Sequence, residues 1–341
     1  MRIHVADLDP RQYSDPDYLT NCGSFAIVAR ELNQGLKEIG AYSEPDDADC
    51  VGICDGLNMG FKYKDKKSFV INVWDMINVL PEELVNAARY HKQTIFGLSN
   101  QVTDLWKRYG ISCSTVMPGC NTNFWMPTSS KTEQFTFLFN SFSNVRSGLD
   151  LALFSFCEAF HDDPDTKLII KNTSSSIHLA NMIQRIANDT HSNVSYIDQR
   201  MSFESIRYLY SCSHVSLNVM RHSSWGLNIH ESAACGCLPV VGDFCPSNEM
   251  EVGVFLKPTK AIPIDSILKE LVGLGLHDAY GNFSYREEPL FYDYDVDAYA
   301  DLLKNIHRNW DAMSKLDFRP IIQRNWTWKK SAELLLKGLH A

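Results

Sequence analysis

The stretch that decides the fold is Arg221 to Asp243, RHSSWGLNIHESAACGCLPVVGD. It follows the apolar run Val215 to Val219 and opens with the glycine turn Trp225-Gly226-Leu227, where the backbone can take a positive φ and approach a ligand closely. Asn228 to Cys235 carries helix formers, with Glu231 in the first turn or two, and Gly236 closes that helix. Leu238-Pro239-Val240-Val241 then begins a buried strand, so strand, turn, helix and strand make one βαβ unit of an α/β fold. A helix start that faces a glycine turn is a place to hold an anion, because unpaired N–H groups and the helix dipole both favour negative charge. A carboxylate a turn further on, Glu231, is placed to accept hydrogen bonds from a ribose. The reading is a nucleoside-diphosphate site.

Outward from this stretch, the same alternation of strand and helix patterns fills the chain. Arg2 to Ala6 reads as a first strand; Gly23 forms a second glycine turn, and Phe25 to Ile39 has apolar residues at helical spacing up to Gly40. That turn is a second spot suited to an anion, and an ordinary βα turn reads the same way. Asp49 to Ile53, Ser68 to Val73, Thr94 to Ser99 and Ser114 to Gly119 are expected strands, with a helix over Val102 to Tyr109. Pro, Thr and Ser cluster between two apolar runs near Pro127 to Thr132, which sets a domain boundary there. A second series follows: strands at Phe135 to Phe139, Lys167 to Lys171 and Val194 to Ile197, and helices over Leu149 to Phe160, Ile177 to Ala187 and Phe203 to Ser211. The organisation expected is residues 1–127, 132–310 and a C-terminal segment 311–341.

Composition bounds the function. A chain of 341 residues that is 45% hydrophobic can bury one or two full cores, two domains of ordinary size fitting better. A net charge of -9 argues against a protein that wraps nucleic acid non-specifically, which depends on many Lys and Arg contacts to phosphate. Lys62, Lys64, Lys66 and Lys67 form the only dense basic run, and it reads first as a solvated loop, with an acceptor-side or membrane-surface role as the alternative. The 10 cysteines lack paired C-x-x-C spacing and read as small buried hydrophobes, not as a disulfide framework or zinc site. Tyr292-Asp293-Tyr294-Asp295 reads as a solvated turn before a helix. No apolar run approaches a membrane span and the first residues lack a signal-peptide pattern, so a cytoplasmic protein with no transmembrane segment is expected.

The opening stretch resembles the donor-site signature of nucleotide-sugar glycosyltransferases with the GT-B fold, in particular retaining family 4, also called group 1. That pattern is a Glu, seven residues, a second Glu, a helix of small residues, Cys-Gly and Pro-Val-Val. Glu231 falls on the second acidic position and Ser223 on the first. Cys120 to Pro127 is similar to the family's hinge, with Asn121 at its Asp, and Ser247-Asn248-Glu249 to its glutamate after the Pro-Val-Val strand. Arg146-Ser147-Gly148 stands where relatives have a lysine before the glycine; Ser147 takes the lysine's place, and Arg146 is left to bind phosphate, which a guanidinium can do at two points.

The resemblance implies two Rossmann-like domains facing across a cleft, with the C-terminal helix crossing back to the first. It implies transfer of a hexosyl or pentosyl group from a nucleoside-diphosphate sugar of UDP or GDP type to a hydroxyl acceptor, with retention, no bound metal and no other cofactor. A saccharide or glycan acceptor is expected; hydroxymethylated bases of phage DNA, or an inactive nucleotide-sugar-binding protein, are the alternatives. Arg146, Glu231 and Asp75 are the catalytic candidates that it implies. The donor would be held by Gly23, Arg146, Ser147, Gln199, Ser223, Trp225, Gly226, Leu227, Asn228 and Glu231.

Overall fold

The computed structural model describes residues 1–6, 24–55, 59–141, 145–172, 177–244, 246–271 and 283–340. The chain divides into two compact units, one of Met1–Asn121, Phe283–Pro289 and Ile321–Ala341, the other of Thr122–Asn282 and Leu290–Pro320. Each is built on a parallel sheet with helical crossovers, the Rossmann-like arrangement.

In the first unit the described elements run β1 (Ile3–Ala6), α1 (Ser24–Glu38), β2 (Cys50–Asp55), β3 (Lys67–Asn72), α2 (Glu82–His91), β4 (Thr94–Gly97), α3 (Asn100–Arg108) and β5 (Cys113–Thr115). The strands pair in parallel in the order β1-β2-β3-β4-β5. All of β2 is buried, as expected where helices cover both faces of a sheet. Ser99 caps α3, its hydroxyl accepting from the Val102 amide at 3.3 Å. The strand expected over Ser114 to Gly119 ends at Thr115, ahead of Pro118, which has no amide to donate. The lysine run is tied to its own neighbourhood: Lys64 pairs with Asp46, and Lys66 Nζ donates to the carbonyls of Asp46 and Ala48 at 2.7 and 2.6 Å. The solvated-loop reading describes it.

The second unit continues with β6 (Phe135–Asn140), a 3₁₀ turn at Val145–Ser147, α4 (Leu149–Ala159), β7 (Thr166–Asn172), α5 (Ile177–Asp189), β8 (Val194–Asp198), α6 (Phe203–Cys212), β9 (Val215–Asn218), α7 (Leu227–Ala234) and β10 (Leu238–Gly242). A 3₁₀ turn at Ser247–Met250, β11 (Val254–Leu256), β12 (Lys260–Pro263), α8 (Ile264–Leu271), β13 (Leu290–Asp293), α9 (Val296–Arg308) and α10 (Trp310–Met313) complete it. The six-stranded sheet has the order β11-β10-β9-β6-β7-β8. From β6 the chain winds outward through β7 to β8, then returns to β9 and winds the other way. The order therefore reverses between β6 and β9, the point where ligands of open α/β sheets sit, beyond the carboxyl ends of the strands.

One reading is corrected here. Tyr292-Asp293-Tyr294-Asp295 is not a solvated turn: Leu290–Asp293 is a strand paired antiparallel with Lys260–Pro263, Tyr294 is buried, and Asp295 caps α9 through the Ala298 amide at 2.8 Å. Its pairing partner lies some thirty residues away in sequence, so the local pattern shows acidic groups and hides the ladder.

Within α11 (Arg319–Asn325) the chain passes into the first unit, where α12 (Trp328–His340) packs on α1. The seat needs glycine on both sides. A Cβ on Gly35 would stand 2.2 Å from the Trp328 carbonyl oxygen, and one on Gly119 2.2 Å from the Trp328 amide nitrogen. Gly35→Ala is expected to push α12 off its seat and cost about 1–3 kcal/mol. Urea unfolding, with midpoint and slope both fitted, checks this.

Candidate functional site

Two asparagines mark the reversal in the second sheet. Asn140 ends β6 and Asn218 ends β9, each two residues beyond paired positions in the register Phe137↔Val215, Leu138↔Ser216. Asn228, in the first turn of α7, ties to both: its Nδ2 donates to Asn218 Oδ1 at 2.7 Å and to the Asn140 carbonyl at 3.4 Å. The start of α7 is thereby pinned over the carboxyl ends of the two central strands. Gly226 precedes it at φ 111°, a conformation other residues rarely adopt, and the first amides of the helix have no carbonyl four residues back to bond.

Arg146 comes to the same place from the other central crossover. Its Nη1 donates to the His222 carbonyl at 3.2 Å, and its own carbonyl accepts from the Arg221 amide at 2.8 Å. The segment before the glycine turn and the segment before α4 are therefore one bonded layer. Beneath it Arg221 grips Asp150 with both ends of its guanidinium, at 2.8 and 2.6 Å, and donates to the Val145 carbonyl at 2.9 Å. Burial opposes the charge on Arg221, but Asp150 outweighs it and holds the guanidinium above its usual range. Gly148, at φ 72°, lets α4 begin against the end of β9, since a Cβ there would stand 2.3 Å from the Val219 carbonyl oxygen.

Glu231 lies in the second turn of α7 and is half-buried. Burial pushes the Tyr210 phenol well above its usual range, and the Glu231 carboxylate adds to the shift. Tyr210 therefore stays protonated. It accepts a hydrogen bond from Asn140 Nδ2 at 2.7 Å, which leaves its own O–H to donate.

The second unit thus brings Arg146, Ser147, Ser223, Trp225, Gly226, Leu227, Asn228 and Glu231 onto two adjoining loops and the helix start that follows. Their side chains are not equally available. Ser147 is 1% exposed and Ser223 7%, and the Ser223 hydroxyl accepts from the Trp225 amide at 3.4 Å. Trp225 is 2% exposed and its ring packs edge-on against His230, so its side chain is closed to a ligand. Gln199 is exposed just past β8 at the sheet edge, and makes no hydrogen bond to the Arg146 network among the described residues. Asp75 follows β3 in the first unit and is half-buried there; Gly23 lies outside the described residues. Among the described residues no three His, Cys, Asp or Glu side chains are grouped to hold a metal ion, and no helix is long and apolar enough to cross a membrane.

No protein-family model matches the sequence, and a search of curated proteins finds no relative. Solved structures do match. A glycosyltransferase from Rickettsia africae ESF-5 aligns with TM-score 0.61 and 12% identity over 95% of this chain and 81% of that one. The sucrose-phosphate synthase of Thermosynechococcus elongatus gives 0.60 and 12% over 93% and 78%, and Anabaena Alr3699/HepE, solved with UDP and glucose, 0.61 and 10% over 93% and 83%. The chain has the GT-B fold. At identities this low the likeness speaks to GT-B architecture alone, and the chemistry rests on the residues.

Sequence reasoning missed Asn140, Asn218, Tyr210 and the Arg221–Asp150 pair. A polar residue closing an apolar strand was the available signal for the asparagines. The ion pair spans 71 positions and has no local signal.

Two measurements test this layer. Asp150→Ala would strand a buried guanidinium and is expected to cost about 3–5 kcal/mol in urea unfolding. His230, wholly buried in α7, is held down to about 3 by burial, and His214, in the same unit, down to about 4 by burial and then by Lys131 and His307. Unfolding frees both to take protons near pH 6.5. Stability is thus unaffected by them above that pH and falls as pH drops from 6.5 toward 4. Urea midpoints at pH 7.5 and 5 are expected to show the loss, and His230→Leu to reduce it.

Proposed function

We propose that this chain is a glycosyltransferase that moves a sugar from a nucleoside-diphosphate sugar, of UDP or GDP type, to a hydroxyl of a saccharide or glycan. The observation that carries this reading is the pinning of the α7 start beside Arg146 at the reversal of the second sheet, with Glu231 one turn on. The guanidinium and the helix start lie on two loops bonded to each other, and a carboxylate follows in the second turn of α7. In outline this is a cradle for a diphosphate with its ribose.

The chemistry follows from where charge grows. Cleavage of the bond between the anomeric carbon and the diphosphate oxygen leaves negative charge on the leaving group and positive charge on the carbon. Fixed donors aimed at the leaving group lower that barrier without reorganising. Arg146 is such a donor, because its bond to the His222 carbonyl sets its direction before a ligand arrives. The amides at Gly226 to Asn228 and the α7 dipole act in the same sense. Glu231 would hold the ribose. We further propose that the acceptor attacks from the face that the diphosphate leaves and passes its proton to the departing phosphate, so that configuration is retained and no metal or separate base takes part. Asp75 is then an acceptor-side candidate.

Release of nucleoside diphosphate from a panel of UDP and GDP sugars tests the reading. Arg146→Ala is expected to lower kcat about 10²-fold or more. Glu231→Ala is expected to lower kcat/KM about 10–100-fold, the worth of a hydrogen bond to a charged group. A protein that UDP or GDP protects against heat, yet that releases neither from any donor, would be a nucleotide-sugar-binding protein and not an enzyme.

A further inference from the structure

Between α8 and β13 of the second unit the chain passes into the first, to which Phe283–Pro289 belong. There the segment fastens on the loop after β3, residues 74–81, and on the start of α2. Pro81 gives α2 no side-chain cap, and the Ser284 carbonyl does that work, accepting from the Glu82 amide at 2.9 Å. In return the Ser284 amide donates to the Glu83 carboxylate at 3.2 and 3.3 Å, an exchange between residues 201 positions apart. Asn78 Nδ2 donates to the Glu288 carbonyl at 3.0 Å, and Arg286 Nε lies 3.6 Å from the Glu82 carboxylate. Phe283 packs edge-on against Trp74, the neighbour of Asp75.

The elements that flank this segment in the second unit both reach the loops of the candidate site. α8 packs against Val145–Ser147, the turn that carries Arg146. β13 pairs antiparallel with β12, and its Tyr292 amide donates to the Arg221 carbonyl at 3.0 Å. Only four positions separate Glu288, whose carbonyl holds Asn78, from Tyr292, whose amide holds Arg221. A stretch so short, with φ fixed at Pro289, has little slack in which to lose a shift of either anchor. Coupling between separate sites is carried by continuous bonded elements of this kind.

We propose that Phe283–Pro289 is a strap through which a nucleoside diphosphate held at the donor loop of the second unit steadies residues 74–83 of the first, where the acceptor-side candidate Asp75 lies. This rests on the donor reading given above and adds to it a link from donor to acceptor. A ligand that fixes the segment at Arg221 fixes β13, and β13 in turn fixes the strap's anchors at Asn78, Glu82 and Glu83. By linkage the same anchors favour the ligand-bound arrangement of the donor loop. The strap makes its hydrogen bonds to Asn78, Glu82 and Glu83 with main-chain groups, so the coupling depends on the path of the chain more than on its side chains.

Hydrogen exchange read by mass spectrometry on the full chain, with and without saturating UDP or GDP, tests the strap. In the wild type, the diphosphate that protects residues 221–228 is expected also to slow exchange over residues 74–85 about fivefold or more. A flexible insertion of about five Gly and Ser residues between Pro289 and Leu290 leaves every docking bond possible and gives the strap slack. It is expected to keep the protection at 221–228 and lose that at 74–85. Should the insertion not fold, Asn78→Ala combined with Arg286→Ala, both at least partly exposed, carries the same comparison. Protection at 221–228 with no change at 74–85 in the wild type overturns the proposal, as does a response at 74–85 that survives in the variant, or failure of both variants to fold. If neither diphosphate protects 221–228, the donor reading itself has failed and the strap's role falls with it, an outcome separate from a donor loop that responds alone.

Discussion

Arg221 leaves the end of β9 and meets Asp150 in the first turn of α4, both side chains almost wholly out of solvent at 4% and 7% exposure. Taking two charges out of water costs several kcal/mol each, and the pair recovers this only through close two-point geometry and by satisfying its remaining groups. It does both: the guanidinium contacts each carboxylate oxygen and also bonds the Val145 carbonyl. The carboxylate stands at a helix N-terminus, where the dipole favours it. Two loops that belong to different crossovers are thereby locked at a single height above the sheet. Arg146 sits on one and Ser223 to Leu227 on the other, so the spacing between the guanidinium and the glycine turn is set by an interaction that never meets a ligand.

The proposed diphosphate site has to be built in an acidic chain, and this lock supplies its frame. The net charge of -9 gives no broad attraction, and the site instead concentrates oriented groups: helix amides left open by Gly226, one guanidinium aimed by the His222 carbonyl, and neutral asparagines fastening α7 to the strand ends. Oriented dipoles in a partly buried region act strongly because they lose little on reorganising. The arrangement depends on the sheet order, since only the strands on either side of the reversal leave room above their ends for a ligand.

Around this site, buried polar groups are kept in fixed states by their surroundings. Tyr210 stays a phenol beside Glu231, and His230 stays neutral inside α7. Glycine does the corresponding work for the backbone: Gly148 allows α4 to start against Val219, while Gly35 and Gly119 admit the main chain at Trp328 into the first unit.

How much of this was legible in the sequence follows from the range of each interaction. The βαβ unit at Val215 to Val241, both alternating series and the positive-φ turn at Gly226 depend on neighbours within a few turns, and apolar period and glycine placement reveal them. The places of Asn228 in the first turn of α7 and Glu231 in the second are likewise set by local helical spacing. Strand order is another matter: β6 and β9 lie side by side although seventy-odd residues separate them, and the Arg221–Asp150 pair exists only because they do. The same holds for Tyr292 to Asp295, whose acidic look concealed a strand until Lys260–Pro263 was laid against it. Sequence by itself determined most of the strands and helices and the positive-φ turn at Gly226, because those are local free energies. Only tertiary structure decided which side chains face that turn, because long-range pairing brings them there and burial then fixes their charge.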